Sequence, residues 1–287
     1  MVSCGPHFGH LHEKKREELE DYYLKQSPDE ETSGASGVIA NSVRATSFGR
    51  VAEDYDRYRP RLPKATLDWL LPAECRVALD LGAGTGAAAC ELVGTVERVI
   101  AVEPDPRMRA LIIRHVPKAK VMDGCAESLP LEDASVDAVL VCSAWHWMDP
   151  GRAVPEIARV LRSGGVLGLL WNSLDRDAPW VAELRHLAGH PRFEEEPRRS
   201  RGPESVHLPE GAPFEAAQIH TIRWTWEITQ EHLLGLMGTY SSVIMLSQPQ
   251  RAEALAQVRN LVEARKPRHS EKILVPMACR CWKALRV

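Results

Sequence analysis

The chemistry this chain can perform is concentrated in a few residues at fixed spacing. Val77-Ala78-Leu79-Asp80-Leu81 is an apolar run broken by one acid, and it passes directly into Gly82-Ala83-Gly84-Thr85-Gly86. Glycine permits a tight turn and the close approach of a ligand to the backbone, and a helix starting there offers unpaired N–H groups. Twenty-one residues after Gly82 stands Glu103, at the end of the next apolar run, where a carboxylate accepts hydrogen bonds from both hydroxyls of an adenosine ribose. A third candidate is His146, flanked by Trp145 and Trp147 just beyond a later apolar run.

Alone, the glycine turn also satisfies a dinucleotide pattern through Gly82, Gly84 and Ala87. Asp80 bears on the choice. An acid two residues before the first glycine opposes a pyrophosphate and favours the ammonium or sulfonium of S-adenosylmethionine. His146, with an ordinary pKa near about 6.5, suits a general base that takes a proton from an acceptor as a methyl group arrives. It equally suits a wall that hydrogen-bonds a loop, and a carboxylate acceptor needs no base at all.

The elements that must hold these residues follow from periodicity. Short apolar strands are expected at 76–81, 98–103, 119–122, 136–142 and 166–171, separated by amphipathic helices at 86–94, 105–115 and 149–161. That alternation implies an α/β fold, a parallel sheet covered by helices on both sides. Beyond Trp171 the pattern becomes a helical cap with helices at 178–188, 230–237 and 249–264, and strands at 219–229 and 273–282. On the strand at 219–229, Ile222, Trp224, Trp226 and Ile228 share one face.

Residues 12–26 read as a charged helix, and the Pro-, Ser- and Gly-containing stretch after it as a linker. A further helix from Ala40 is stopped at Arg59 by Pro60. The expected division is an extension over residues 1–41 and a main domain over 42–287, with its core at about 72–172 and a cap with the last strands at about 173–287.

Composition excludes several function classes. The 287 residues are 44% hydrophobic and 26% charged, with a net charge of −3. Residues 1–41 carry 8 acids and 4 bases, which leaves the rest near neutral and without the basic footprint of a nucleic-acid binder. No apolar run reaches the roughly 18 residues of a membrane span, and the amino terminus lacks the pattern of a secretory signal, so a cytoplasmic location is expected. The seven cysteines form no C-x-x-C pair, and no metal site is expected. Cys279 and Cys281 are expected as small apolar groups on one strand face.

Several motifs in order carry a resemblance. They are Phe48-Gly49-Arg50 through Tyr55-Asp56-Arg57-Tyr58-Arg59-Pro60, Asp80 to Gly86, Glu103-Pro104-Asp105, and Gly124-Cys125-Ala126-Glu127-Ser128-Leu129-Pro130. Ala144 to Asp149, Leu161-Arg162-Ser163-Gly164-Gly165, Thr239-Tyr240-Ser241-Ser242-Val243 and the last strand continue the series. In these the chain resembles the class I S-adenosylmethionine-dependent methyltransferases, and more narrowly the small-molecule group similar to trans-aconitate methyltransferase.

The resemblance implies a Rossmann-like, seven-stranded, mostly parallel sheet with helices on both faces and an inserted helical cap, and S-adenosylmethionine as cofactor. Gly82, Gly84 and Gly86 would line its methionine half, Asp80 its amino group, Glu103 its ribose, Pro104 and Met108 its adenine, and Ala126 with Glu127 the adenine's polar edge. Tyr55 and Arg59 would meet its carboxylate. Cys125 stands where many members carry aspartate, which leaves the adenine amine to backbone contacts.

Trp145, Trp147 and Tyr240 would line the acceptor site. Tyr240 replaces a frequent arginine, which points to a larger and less charged acceptor, a natural product of bacterial secondary metabolism. Tyr22 and Tyr23 resemble the added helix of terpenoid-indole (teleocidin-type) C-methyltransferases, where that helix covers a neighbouring subunit's site. A homo-oligomer is therefore expected. Two rival readings are a nicotinamide-dependent oxidoreductase and a non-catalytic S-adenosylmethionine-binding protein.

Overall fold

The computed structural model describes residues 56–187, 202–240, 243, 246–266 and 270–287. Seven strands lie among them: β1 (Val77–Leu81), β2 (Arg98–Val102), β3 (Lys120–Met122), β4 (Val136–Cys142), β5 (Leu161–Leu174), β6 (Gln218–Thr229) and β7 (Lys272–Leu285). They form one sheet in the order β3-β2-β1-β4-β5-β7-β6. The first five run parallel, and β7 is antiparallel to both β5 and β6. The helices between them are α1 (Lys64–Leu70), α2 (Ala87–Leu92), α3 (Pro106–His115), α4 (Pro150–Val160), α5 (Pro179–Leu187), α6 (Gln230–Gly238) and α7 (Gln248–Glu263). No helix among the described residues is long and apolar enough to cross a membrane.

Two helix starts share one local device. Asp105 and Asp149 each sit before a proline and accept a hydrogen bond from the backbone N–H two residues on, at 2.8 and 3.0 Å. An acidic N-cap followed by proline at the first helical position satisfies orphan donors with a residue that has none to lose. Both starts lie at the carboxyl edge of the sheet, so they fix where the chain turns beside the candidate site.

The period of two along the strands divides the core into two layers. Val77, Leu79 and Leu81, with Ile100, Val102, Val139 and Val141, are buried against Ala153, Val154 and Ile157 of α4. Ala78, Val99, Ala101, Ala138 and Leu140 face the opposite way, onto Leu67 and Leu70 of α1 and Ala88, Ala89 and Leu92 of α2. Cys279 and Cys281 are fully buried in this second layer, their sulfurs 3.8 Å apart. A third cluster joins Leu174, Ile228, Ile273, Val275 and Met277 to α5, α6 and α7. It is built on the end of β5 and the start of β7, so the cap rises from the same edge at which β1, β2 and β4 end.

Element bounds depart from expectation where pairing partners are distant. β5 extends beyond the expected 166–171 because β4 and β7 flank it; Leu161 already pairs with Val136 before a register shift that Gly164 accommodates at φ 74. β7 likewise continues past the expected Trp282 to Leu285. Helix α1 escapes the sequence pattern altogether, being only seven residues long. Of the helix expected up to Arg59, residues 56–59 are described; 56–58 are helical and Arg59 is already a bend. The charged helix at 12–26 and the remainder of residues 1–55 lie outside the described residues.

Helix α1 reaches the sheet over a glycine. A Cβ on Gly168 of β5 would lie 2.7 Å from Cδ2 of Leu140 and 3.0 Å from Cδ2 of Leu70. Overpacking of this kind costs about 1–3 kcal/mol. Gly168→Val is expected to lower stability in urea denaturation by that amount with an unchanged m-value, which would locate the fault in the native packing.

Candidate active site

Three neighbouring parallel strands deliver the site. β1 pairs with β2 and β4 so that Asp80 lies beside Ala101 on one side and Leu140 on the other. The residues after each strand therefore emerge at one edge, where open α/β sheets bind ligands. Gly82 and Ala83 donate backbone N–H bonds to the Val102 carbonyl at 2.9 and 3.2 Å, which binds the turn to the end of β2. Gly82, Gly84 and Gly86 have φ values of 66, 58 and 91, in the left-handed region open to glycine. Among the described residues a Cβ on Gly84 would meet nothing within 4 Å, whereas one on Gly82 would come 2.9 Å from the Ala144 Cβ. The turn is thus open on one side and closed on the other by the segment after β4.

Two carboxylates are buried behind this turn. Asp80 is fully buried; its Oδ2 accepts from Ala89 N–H at 2.8 Å, and its Oδ1 has no partner among the described residues. Ala89 is the third residue of α2, so Asp80 serves an orphan helix donor that the N-cap Gly86 cannot reach. Burial pushes the Asp80 carboxyl up to about 7; the Ala89 hydrogen bond opposes that rise and the Glu103 charge adds to it.

Glu103 is also buried, and burial raises its pKa against hydrogen bonds that lower it. Its Oε2 accepts from Gly84 N–H at 2.8 Å and its Oε1 from Asp105 N–H at 2.9 Å. Each oxygen keeps a lone pair for a further donor. Arg109 Nη1 holds the backbone around it, donating to the Glu103 and Pro104 carbonyls at 2.8 Å each and to Asp123 at 2.9 Å.

The segment after β4 turns abruptly. Ser143 has a left-handed φ of 54, unusual for a residue with a side chain, and its N–H donates to the Leu170 carbonyl at 2.8 Å. A single 3-10 turn, Trp145–Trp147, follows. Trp145 is buried in the core layer under α4, whereas His146 and Trp147 are half-buried with their rings 4.5 Å apart. Glu127 Oε1 accepts from Asp149 N–H at 2.9 Å and so ties its loop to the start of α4.

The other expected residues are distributed around this edge. Met108 is buried beside Leu111 on α3, Pro104 is exposed before that helix, and Ala126 is buried next to Glu127. Cys125 is exposed in the same loop. The Arg59 guanidinium lies over the Tyr240 ring at 5.3 Å from its centroid. Both Asp80 and Arg59 act electrostatically on the Cys142 thiol at the end of β4, the acid raising its pKa and the arginine lowering it, beneath a larger rise from burial.

Met237 is buried in the cap core, and Trp224 and Trp226 lean on that core half-buried. Trp224 donates to Asn172 Oδ1 at 3.1 Å. Tyr22, Tyr23, Tyr55 and Met245 lie outside the described residues. Sequence reasoning missed Arg109 and Ser143: the first carries no motif, and the second becomes distinctive only through its backbone angle.

The arrangement fits S-adenosylmethionine in its donor chemistry. A buried, half-partnered carboxylate at Asp80 suits an ammonium, and Glu103 can accept from two hydroxyls while keeping its backbone bonds. A diphosphate would meet two buried acids.

Comparison with known proteins agrees. Residues 79–169 match the family model described as a methyltransferase domain. An uncharacterised methyltransferase of Mycobacterium tuberculosis strain H37Rv is 44% identical over 216 residues, covering 75% of this chain and 85% of the relative. A second protein of that strain, named as an S-adenosylmethionine-dependent methyltransferase, is 35% identical over 116 residues, 40% of this chain and 42% of its own. Among solved structures, a candidate type II methyltransferase from Anaeromyxobacter dehalogenans superposes with a TM-score of 0.58 at 26% identity, covering 80% of this chain and 98% of that one. With the buried acids, the glycine turn and these relatives in agreement, the chain belongs to the class I S-adenosylmethionine-dependent methyltransferases.

Proposed function

We propose that the protein methylates a small-molecule acceptor, a natural product of secondary metabolism, at the edge formed by the glycine turn, the Trp145–Trp147 segment and the cap. The observation that carries this reading is the half-buried His146–Trp147 ring pair, set 4.5 Å apart directly after the segment that touches Gly82. An aromatic, uncharged wall beside the cofactor turn suits an organic acceptor, and the near-neutral body gives no purchase to a nucleic acid. Residues 1–41 act as an extension to the 42–287 domain, and Tyr22 and Tyr23 complete the acceptor site of a second subunit in a cytoplasmic homo-oligomer.

Bound S-adenosylmethionine supplies a methyl group already activated for displacement. The chain's own residues bind and orient. Asp80 Oδ1 receives the ammonium, Glu103 receives the ribose hydroxyls, and Met108 and Pro104 flank the adenine, with Ala126 and Glu127 at its polar edge. Tyr55 and Arg59 meet the carboxylate. Trp147 and Tyr240 exclude water from the acceptor and hold it in line, with Trp145 packed in the core behind them, which supplies most of the acceleration in a reaction needing little acid chemistry. His146 takes the acceptor's proton at an imidazole nitrogen.

Three outcomes test these assignments. Because burial raises the folded-state pKa of Asp80 from 3.8 to about 7, its charge costs stability as pH rises through that window. Asp80→Asn is therefore expected to match the parent's unfolding free energy at pH 4 and to exceed it at pH 8 by on the order of a few kcal/mol, measured by urea denaturation, while losing affinity for S-adenosylhomocysteine. A flat difference across pH would contradict the buried charge. His146→Ala is expected to lower kcat by about 100-fold with cofactor affinity intact; unchanged turnover would make the ring a wall and not a base. Deleting residues 1–40 is expected to reduce acceptor turnover and subunit number together, measured by steady-state kinetics and light scattering, while leaving cofactor binding unchanged.

A further inference from the structure

Helix α6 of the cap carries a glycine in its interior. Gly235 lies among Leu233, Leu234, Leu236 and Met237, all buried, where alanine would favour the helix by about 1 kcal/mol. A Cβ at Gly235 would lie 2.4 Å from Cε1, 2.5 Å from Cζ and 2.6 Å from Cδ1 of Tyr58. The helix backbone itself is thus the floor on which the Tyr58 ring rests.

The same face of α6 locks that ring from the side. His232, three residues before Gly235, meets Tyr58 edge-on at 5.3 Å, and Trp226 of β6 meets His232 edge-on at 5.0 Å. Arg59 follows Tyr58 in the chain and lies over the ring of Tyr240, two residues beyond the end of α6. The charge of Arg59 is felt by Cys142 at the carboxyl end of β4, beside the site. Residues 58 and 59 are therefore seated by one helix of the acceptor cap and its exit.

We propose that Gly235 is a positioning residue: by leaving room for the Tyr58 ring, it lets the acceptor cap set Arg59 for the cofactor's carboxylate. The proposal rests on the reading of Arg59 given above. It couples the two halves of the site, since a cap helix fixes a cofactor ligand that comes from the far end of the sequence.

The test compares two ligands by titration calorimetry. S-adenosylhomocysteine carries the carboxylate and the ammonium, whereas 5′-methylthioadenosine keeps the nucleoside and thioether without either, and the Arg59→Met background below assigns a selective loss to the carboxylate. In Gly235→Ala the Kd for S-adenosylhomocysteine is expected to rise about tenfold, the scale of a lost charge-assisted contact, while that for 5′-methylthioadenosine changes by less than about twofold. Tyr58→Leu, which removes the ring and spares the helix, is expected to give the same selective loss. Gly235→Ala should add nothing in an Arg59→Met background.

Equal weakening of both ligands would show general damage and overturn the proposal, as would no weakening of either. If Arg59→Met alone leaves S-adenosylhomocysteine binding intact, the carboxylate assignment of Arg59 fails and the proposal with it. If Arg59→Met weakens that ligand selectively and neither Gly235→Ala nor Tyr58→Leu does, the positioning role alone fails.

Discussion

Two carboxylates closed off from water at the ends of adjacent strands constrain everything around them. A buried acid must find donors or lose its charge, and Asp80 and Glu103 find theirs in backbone N–H groups of Ala89, Gly84 and Asp105. Those donors exist only because the chain turns through three left-handed glycines and starts a helix at each side. The turn, the two helix starts and the acids are one mutually dependent unit. What remains unsatisfied in it, one oxygen of Asp80, is the part that a cation can complete.

The remaining elements hold that unit in place. Arg109 straps the backbone around Glu103, and the Ser143 turn brings Ala144 against Gly82 so that the aromatic segment follows at the right point. Strain at Ser143 and the cost of burying Asp80 are both borne by a core in which the strands of the parallel region are sealed between two apolar layers. The chemistry is thereby carried on the ends of rigid strands and not on free loops.

Much of this was legible in the sequence because it is local. The apolar run from Val136 to Cys142 matches β4 residue for residue, and the glycine turn with its two acids follows from one strand, one turn and the next strand. Pairing between distant segments was not legible: β5 and β7 lengthen each other, and neither flank alone shows it. Arg109 resembles any helix arginine until α3 folds back over the Glu103 carbonyl. Gly235 stands out as a helix glycine, but the ring it admits comes from a residue far earlier in the chain. Residue type predicted the acids; tertiary geometry alone supplied their braces.

The two long strands bear on how this enzyme can change over time. β7 runs unbroken from Lys272 to Leu285, with Ile273, Val275 and Met277 in the cap and Cys281, Trp282 and Ala284 in the central layers. β5 spans both regions in the same way, from Leu161 to Leu174. Cap and sheet therefore share continuous beams with no hinge between them along those strands. New acceptors would have to be accommodated by exchanging side chains on α6 and the Trp145–Trp147 turn, a route in which specificity drifts by small steps while the nucleoside cradle stays untouched.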